Sequence, residues 1–518
     1  MTNKSPKLGI DFGTSNLCVG IYMNGIVKIV PNKIGERITP SVLLFEDNGS
    51  PLVGEEVINK NPDNTNDLIY EIKRFIGLNY KEFEEGDFKK FLNYDVKNID
   101  GIPKIKINNI KGKEEYKSAE EISSYILKKI IKSAEDFYDN ETGEGIKIRS
   151  AVITVPAHFN KYQKNAMRLA ALKAGIETTR IINEPTAAAL AYGIGKDLIP
   201  KNPVNSQSEN VFSSILEEND NEVAPLPDRI NKTEEKVFVF DLGGGTFDLT
   251  LLNIKKINDD HLVFEVILTN GDIHLGGSDF DNALIDYCIK DFCKKTNNDE
   301  KEVKNNKMAL KRLKIKCEDA KKILSVKNET KINIDNFFGE EDFCIKITID
   351  LFEKICEQLF KKIRNIILEA LNDANKTALE IDKIILVGGA SRMCGIKNLL
   401  KKIFSENIIK DDINPEEAIA IGATLEAAKI EIKDKMNFVL QDITPLSLGI
   451  GVFNLNTKEY KMGDLMLVII EKYKKIPFSN EVSFITKINE NNKKISLNIY
   501  EGNKENVKKK YKIGRNNY

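Results

Sequence analysis

Histidine is scarce in this 518-residue chain. Only His158, His261 and His274 occur, and none stands three to five residues from another or beside a Cys-x-x-Cys pair, so the usual zinc spacings are missing. All three are expected to be packing or surface residues. Cysteine is sparse too, with seven residues scattered at 18, 288, 293, 317, 344, 356 and 394. That odd count suits a reducing compartment better than a disulfide framework. Cys288 and Cys293 lie in DYCIKDFC, whose helical alternation of apolar and charged residues makes them buried thiols sooner than redox or nucleophilic groups. No apolar run approaches the ~18 residues of a membrane span. MTNKSPKLGID opens without the apolar stretch of a secretory signal, and no retention signal closes the chain. A cytoplasmic protein without a membrane partner is expected. A G-x-x-x-x-G-K-[ST] loop is also missing, which excludes the common P-loop.

What is present is a long, balanced, α/β-textured chain. With 77 basic against 78 acidic residues, and a length beyond one ordinary core, two to four domains is the rough expectation. KLGID, SAVITVPA, KVFVFDL and KIILVGG are short, β-branched runs that lead into glycine turns or helical segments, as buried strands do. Helical patterns fill the intervals. SAEEISSYILKKIIKSAEDF from Ser118 carries an N-cap signal, and DLFEKICEQLFKKIRNIILEAL runs from Asp350. The stretch 195–235, rich in Pro, Asn, Ser and acids, reads as a flexible, solvated insertion. From Ile443 onward the long helical patterns stop, and DLMLVIIEKY, EVSFITKI and KKISLNIY read as strands of a separate β module. Residues 443–518 hold fourteen Lys and Arg against seven Asp and Glu. Solvated strand faces account for that excess better than a polyanion such as RNA, so nucleic acid is not an expected partner.

The chemistry starts with an internal echo. LGIDFGTSNLCVGIY from Leu8 and VFVFDLGGGTFDLTLL from Val237 each run apolar strand, Asp, glycine turn with Thr, apolar strand, and Asp11 and Asp241 stand 230 residues apart. A glycine turn lets backbone N–H groups reach phosphate oxygens with no side chain in the way, and threonine adds a hydroxyl donor. An aspartate at the strand end suits Mg²⁺, directly or through water. Two such hairpins facing each other would clamp one nucleotide. A third turn, ILVGGASRM from Ile385, follows another buried strand; it can lie beneath a ribose or α-phosphate, with Arg392 placed to stack on a base.

DFGTSNLCVG, IKRFIG, AVITVPAHFN, IINEPTAAALAYG, FDLGGGTFDLTLL, NGDIHLGGSDFDN, ILVGGASRM, INPEEAIAIGA and DITPLSLGIG occur in that order, and together they resemble the seventy-kilodalton heat-shock chaperone family of the actin-like ATPase superfamily. The resemblance implies a two-lobed α/β ATPase domain over residues 7–437, a linker at 438–442 and a β-sandwich module at 443–518 that holds extended peptides. It implies ATP or ADP with Mg²⁺, and K⁺ as an optional further ion. Gly13, Thr14, Ser15 and Asn16 would meet phosphates from the first hairpin, and Gly243, Gly244, Gly245 and Thr246 from the second, with Asp11 and Asp241 organising the metal. CEDAKKILS resembles the family's adenosine-binding helix, so Glu318, Lys321, Lys322 and Ser325 would meet ribose and base opposite Gly388, Gly389 and Arg392. Lys73, Glu184, Asp248 and Thr246 would carry hydrolysis: Lys73 as a fixed cation, and Glu184 or Asp248 orienting the water or a metal-bound shell, which of them acts as base staying open.

Departures from the family pattern also matter. Lys322 and Lys164 stand where many members place arginine, keeping charge but losing the planar fork. NFVLQD is an apolar linker with fewer leucines than usual. Arg180 and Asp442 match positions used with J-domain co-chaperones, so such a co-chaperone and a nucleotide exchange factor are expected partners. The family's sandwich continues with further strands and a helical lid past the position matching IYEG, so the module 443–518 reads as about half a sandwich. Unfolded client peptides therefore stay open as partners, and a regulatory or scaffold member that binds ATP without holding clients is the alternative to a working chaperone.

Overall fold

A computed structural model describes residues 6–517 except 47–48, 61–67, 93, 111–112, 195–232, 259–260, 411, 433–436, 453–464, 482–495 and 503–510. The fold is α/β with several sheets. Its first six-stranded sheet contains β1 (Lys7–Phe12), β2 (Asn16–Met23), β3 (Ile26–Ile29), β4 (Thr39–Pro40), β5 (Ser150–Val155) and β6 (Thr178–Asn183). The order is β6-β5-β1-β2-β3, with β4 added on β2. β1 pairs antiparallel with β2 and parallel with β5, which pairs parallel with β6. The second sheet contains β7 (Glu234–Leu242), β8 (Phe247–Asn258), β9 (His261–Asp272), β10 (Lys383–Val387), β11 (Ile409–Lys410) and β12 (Asn437–Gln441), in the order β11-β10-β7-β8-β9-β12. There β7 pairs antiparallel with β8 and parallel with β10. The hairpin echo thus extends to five strands in matching order, of which the sequence displays only the first two.

Helices cover these sheets. α1 (Ala119–Thr142) starts where Ser118 accepts from the Glu121 N–H and Glu121 accepts from the Ser118 N–H, the reciprocal cap its sequence announces. α2 (Lys161–Lys173) is capped in the same way by Asn160 and Gln163. α3 (Glu184–Ile194) follows β6, while α4 (Gly277–Thr296), α5 (Lys307–Leu324) and α6 (Glu357–Asp373) belong with the second sheet and α7 (Ala418–Ala427) follows β11. The run from Asp350 is therefore not one helix. It breaks at Cys356, whose φ of −94° and ψ of 10° leave the helical region between Ile349–Ile355 and α6.

Each sheet has its own apolar cluster, and a third lies between them, built by α3 and α7 with residues such as Val152, Val239 and Val387. Alanine and glycine explain that closeness. A Cβ on Gly422 of α7 would lie 1.7 Å from the Ala187 carbonyl oxygen of α3, so only glycine fits there. The two halves of the chain are joined through this small-residue contact directly beneath the hairpins.

Residues 438–441 of the expected linker 438–442 belong, with Asn437, to β12, a strand paired parallel with β9 at the edge of the second sheet. Phe438 is buried and Val439 is 43 % exposed, an alternation too short for periodicity to announce. Beyond it, β13 (Leu448–Val452), β14 (Leu465–Ile470), β15 (Ser496–Glu501) and β16 (Tyr511–Asn517) form one antiparallel sheet in the order β14-β13-β15-β16. Most of the expected strand EVSFITKI lies outside the described residues. This sheet touches both halves of the preceding structure: Glu501 accepts from the Lys161 N–H at 3.1 Å at the start of α2, and Lys472 meets Asp373 at 2.8 Å at the end of α6. Among the described residues no helix is long and apolar enough to cross a membrane.

Residues 195–232 of the expected insertion lie outside the described residues. Thr233 belongs to the fold, since its carbonyl accepts from the Lys256 N–H at 2.9 Å. Deleting 196–232 while keeping Thr233 is expected to leave ATP turnover within about two-fold of the parent, because the composition offers little to bury. Loss of nucleotide binding in a deletion that still folds would place this segment in the site.

Candidate functional site

The two hairpins meet tip to tip. A Cβ on Gly244 would lie 2.0 Å from Ser15 Oγ and one on Gly245 would lie 2.6 Å from Thr14 Cγ2, so any larger residue in the second turn would force the first to shift. The second turn keeps one internal bond, Gly243 N–H to Thr246 O at 3.1 Å. The start of α4 docks on its outer side, where Gly277 and Ser278 N–H groups donate to the Gly243 and Gly244 carbonyls at 2.9 and 2.8 Å. The third turn stacks from below. Gly388 has φ +78°, and a Cβ there would lie 2.3 Å from Leu242 O and 2.9 Å from Asp241 Oδ1. The three turns read from sequence therefore form one assembly.

Behind the turns is a buried charge cluster. Lys73, on the 3-10 turn Ile72–Arg74, is 3 % exposed and pairs with Glu184 Oε1 at 2.5 Å, Glu184 being 3 % exposed at the start of α3. Burial lowers the lysine's affinity for its proton, but Glu184, Asp11 and Asp241 outweigh it, and Lys73 is held charged above the usual lysine range. Asp11 accepts from Thr154 Oγ1 at 3.2 Å, and Asp248 meets His158 Nδ1 at 3.1 Å. Burial pushes Asp11 up to about 6 against Lys73 and Thr154. Burial, with Asp11 and Asp248 beside it, pushes Glu184 up to about 8 against Lys73. Asp241 is raised well above the carboxylate range, first by burial and then by Glu184, Asp248 and Asp11. One lysine thus faces four carboxyls.

That imbalance is a fit test for a cation. Oδ2 of Asp241 and Oδ2 of Asp248 are buried without hydrogen-bond partners, and the excess of carboxyls over cations suits a divalent ion. Among the described residues, however, no group of three or more His, Cys, Asp and Glu closes into a metal-holding cluster. Asp11 and Asp241 therefore do not make an all-protein cage. The donor set fits a hard ion that takes most of its oxygens from water and phosphate, the habit of Mg²⁺.

The expected adenosine residues share one face of α5 and its C-terminus. Lys321 donates to Gly277 O at 3.1 Å and Asp281 Oδ2 at 2.7 Å, Lys322 pairs with Glu318 at 2.8 Å, and Ser325 Oγ donates to the Lys321 carbonyl at 3.3 Å. A small pocket lined by Lys321, Ser325, Glu353, Met393 and Cys394 lies where this helix end meets the segment after the third turn, and Cys394 Sγ donates to the Ser325 carbonyl at 3.4 Å. Arg392 is exposed and donates to Asn414 Oδ1 at 2.6 Å, with Glu416 at 3.7 Å; Gly389 packs toward Glu416. The helix and the turn are brought together, with Lys322 and Arg392 each held by an acid or amide.

Sequence reading missed two supports, Thr154 and His158, whose partners lie 143 and 90 residues away. Of the expected co-chaperone positions, Arg180 pairs with Glu426 at 2.6 Å and Asp442 accepts from Asn183 at 2.8 Å. Lys164 is attracted to Asp442 and Glu501, placing it where the C-terminal sheet meets α2. A family model described as Hsp70 protein matches residues 7–517, and with three glycine turns, a buried lysine among carboxyls and an α/β frame already in place, the chain belongs to the Hsp70 family of chaperones.

Proposed function

We propose that this chain binds ATP with magnesium between two lobes, one on each six-stranded sheet, and hydrolyses the terminal phosphate to drive a nucleotide-controlled chaperone cycle. The observation that carries this reading is the tip-to-tip contact of two glycine turns above the buried Lys73–Glu184 pair. The turns supply backbone N–H groups and the Thr14 and Thr246 hydroxyls to phosphate oxygens, where fixed dipoles act without reorganising. Asp11 and Asp241 would hold Mg²⁺, whose charge would offset that of the phosphates. Lys73 adds a fixed cation where charge builds up during cleavage. Glu184 and Asp248 have buried oxygens to orient a water and take its proton. Glu318, Lys321, Lys322 and Ser325 hold the nucleoside opposite Gly388, Gly389 and Arg392.

Rapid-mixing single-turnover hydrolysis of γ-labelled ATP by the full chain tests the enzyme. No phosphate release above the uncatalysed rate, at saturating ATP and magnesium, sinks it. The client half of the cycle is tested separately, by fluorescence anisotropy with a labelled apolar heptapeptide. Tighter peptide binding with ADP than with ATP would support a working chaperone, with β12 and the contacts at Glu501 and Lys472 connecting the C-terminal sheet to both lobes. Hydrolysis without peptide binding in either nucleotide would leave the chain a regulatory or scaffold member. J-domain and exchange-factor partners belong to the same proposal, with Arg180, Asn183 and Asp442 as the co-chaperone face.

A further inference from the structure

The ATPase reading leaves His158 unused. His158 lies in the loop between β5 and α2, with its side chain 17 % exposed, and its Nδ1 is 3.1 Å from Asp248 Oδ1, on a side chain 2 % exposed. Facing a carboxylate, which only accepts, Nδ1 carries the hydrogen. Among the described residues His158 is the one side chain hydrogen-bonded to this carboxyl, and the other oxygen, Oδ2, is buried with no partner.

The geometry around both residues is fixed. Asp248, the second residue of β8, lies directly opposite Asp241 in the antiparallel ladder, so the two carboxyls leave the same face of the hairpin. The histidine loop is held by Phe159 N–H donating to Pro156 O at 3.1 Å and by the reciprocal Asn160–Gln163 cap of α2. The same stretch of chain carries Thr154, whose hydroxyl holds Asp11 at 3.2 Å. Five residues of one lobe therefore anchor a carboxyl of each phosphate hairpin.

We propose that His158 is a positioning residue for hydrolysis: by donating Nδ1–H to Oδ1 it fixes the Asp248 carboxyl so that Oδ2 alone is presented to the water. The inference rests on the ATPase reading, and it is about the chemical step. A side chain that orients a carboxylate engaged during cleavage changes the rate more than the ground-state affinity.

The experiment compares single-turnover hydrolysis and equilibrium ATP affinity for the full chain, His158→Phe and His158→Asn. Phenylalanine keeps a planar ring and loses the donor; asparagine keeps a donor near the Nδ1 position. We expect His158→Phe to slow hydrolysis about 10- to 100-fold, the range for removing the partner that orients an active group, with ATP affinity within about two-fold. His158→Asn should recover most of the rate. Thermal unfolding of each variant shows that both fold. A cycle with Asp248→Asn adds a readout no packing role would move: once Asp248 is replaced, His158→Phe should cost little more, because the two act as one unit. A Phe variant at the parental rate, an Asn variant as slow as Phe, or fully multiplicative losses in the cycle would each overturn the proposal. A parent that does not hydrolyse ATP would instead remove the reading on which it rests, so the two failures are distinguishable. If His158→Phe does not fold, His158→Asn and Asp248→Asn decide the point: an Asn variant near the parental rate beside a slow Asp248→Asn with intact ATP affinity supports positioning, and a slow His158→Asn or a parental rate for Asp248→Asn overturns it.

Discussion

Lys73→Ala is expected to abolish hydrolysis, lowering the single-turnover rate by about 10³-fold, while leaving ATP affinity within a few-fold of the parent. In the proposed site affinity would be spread over three glycine turns, the α5 face and the metal, whereas a point cation beside the cleaved bond would act chiefly where charge develops. The geometry sharpens the expectation. Asp11, Glu184 and Asp241 all stabilise the charge of Lys73, so removing it takes a counter-ion from these buried carboxyls. Two measurements decide: phosphate release after rapid mixing, and fluorescent nucleotide titration at matched magnesium. Hydrolysis at the parental rate would take this lysine out of the mechanism. Lys73→Arg, which keeps charge but not the point geometry, should recover little of the lost rate.

This residue also shows what the chain's sequence can and cannot tell. Beside Arg74 and apart from the family resemblance, Lys73 reads as a surface residue; in the fold both are 3 % exposed, because their partners arrive from 111 and 205 residues away. Local signals were legible: the turns from their glycines, the start of α1 from Ser118 and Glu121, the β texture beyond Ile443. Long-range pairings were not, since nothing near His158 in the sequence points to Asp248. The break at Cys356 escaped for another reason, for apolar spacing continues across it and a one-residue departure leaves the hydrophobic stripe in place. The strand at 437–441 was hidden by its length. Its five residues give too few alternations to distinguish an edge strand from an apolar linker, and its partner β9 lies more than 160 residues earlier.

Arg74→Ala is expected to be strongly destabilising, costing about 3–5 kcal/mol, because it breaks buried ion pairs with Glu71 and Asp279. Arg74 donates to Asp279 Oδ2 at 3.0 Å, its Nε lies 3.0 Å from Glu71 Oε2, and Glu71 also accepts from Lys314 at 2.9 Å. The four residues connect the turn carrying Lys73 to α4, which docks on the second glycine turn, and to α5. The two acids are not equivalent. Burial pushes Glu71 up, but Lys314 and Arg74 outweigh it and hold the carboxyl below its usual range. For Asp279 burial wins over Arg74, and the carboxyl is raised. The signs of the linkage therefore differ. Glu71 contributes stability that is present above its unfolded pKa and is lost as pH falls through its lower folded value. Asp279 costs stability when ionised, and that cost is relieved as pH falls through its raised value. Glu71→Gln should consequently destabilise the protein at pH 7, leaving Lys314 and Arg74 facing a neutral amide, whereas Asp279→Asn should be near neutral or slightly stabilising. Denaturant melts at pH 7 and pH 5 check both the order and the sign. The same contacts tie the turn carrying Lys73 to α4 and α5, so under the proposed function Arg74→Ala should also speed ADP release, read by stopped-flow displacement of a fluorescent analogue. Equal destabilisation by the two acid substitutions would show that the node is a simple sum of ion pairs, and release at the parental rate would show that cleft opening does not pass through it.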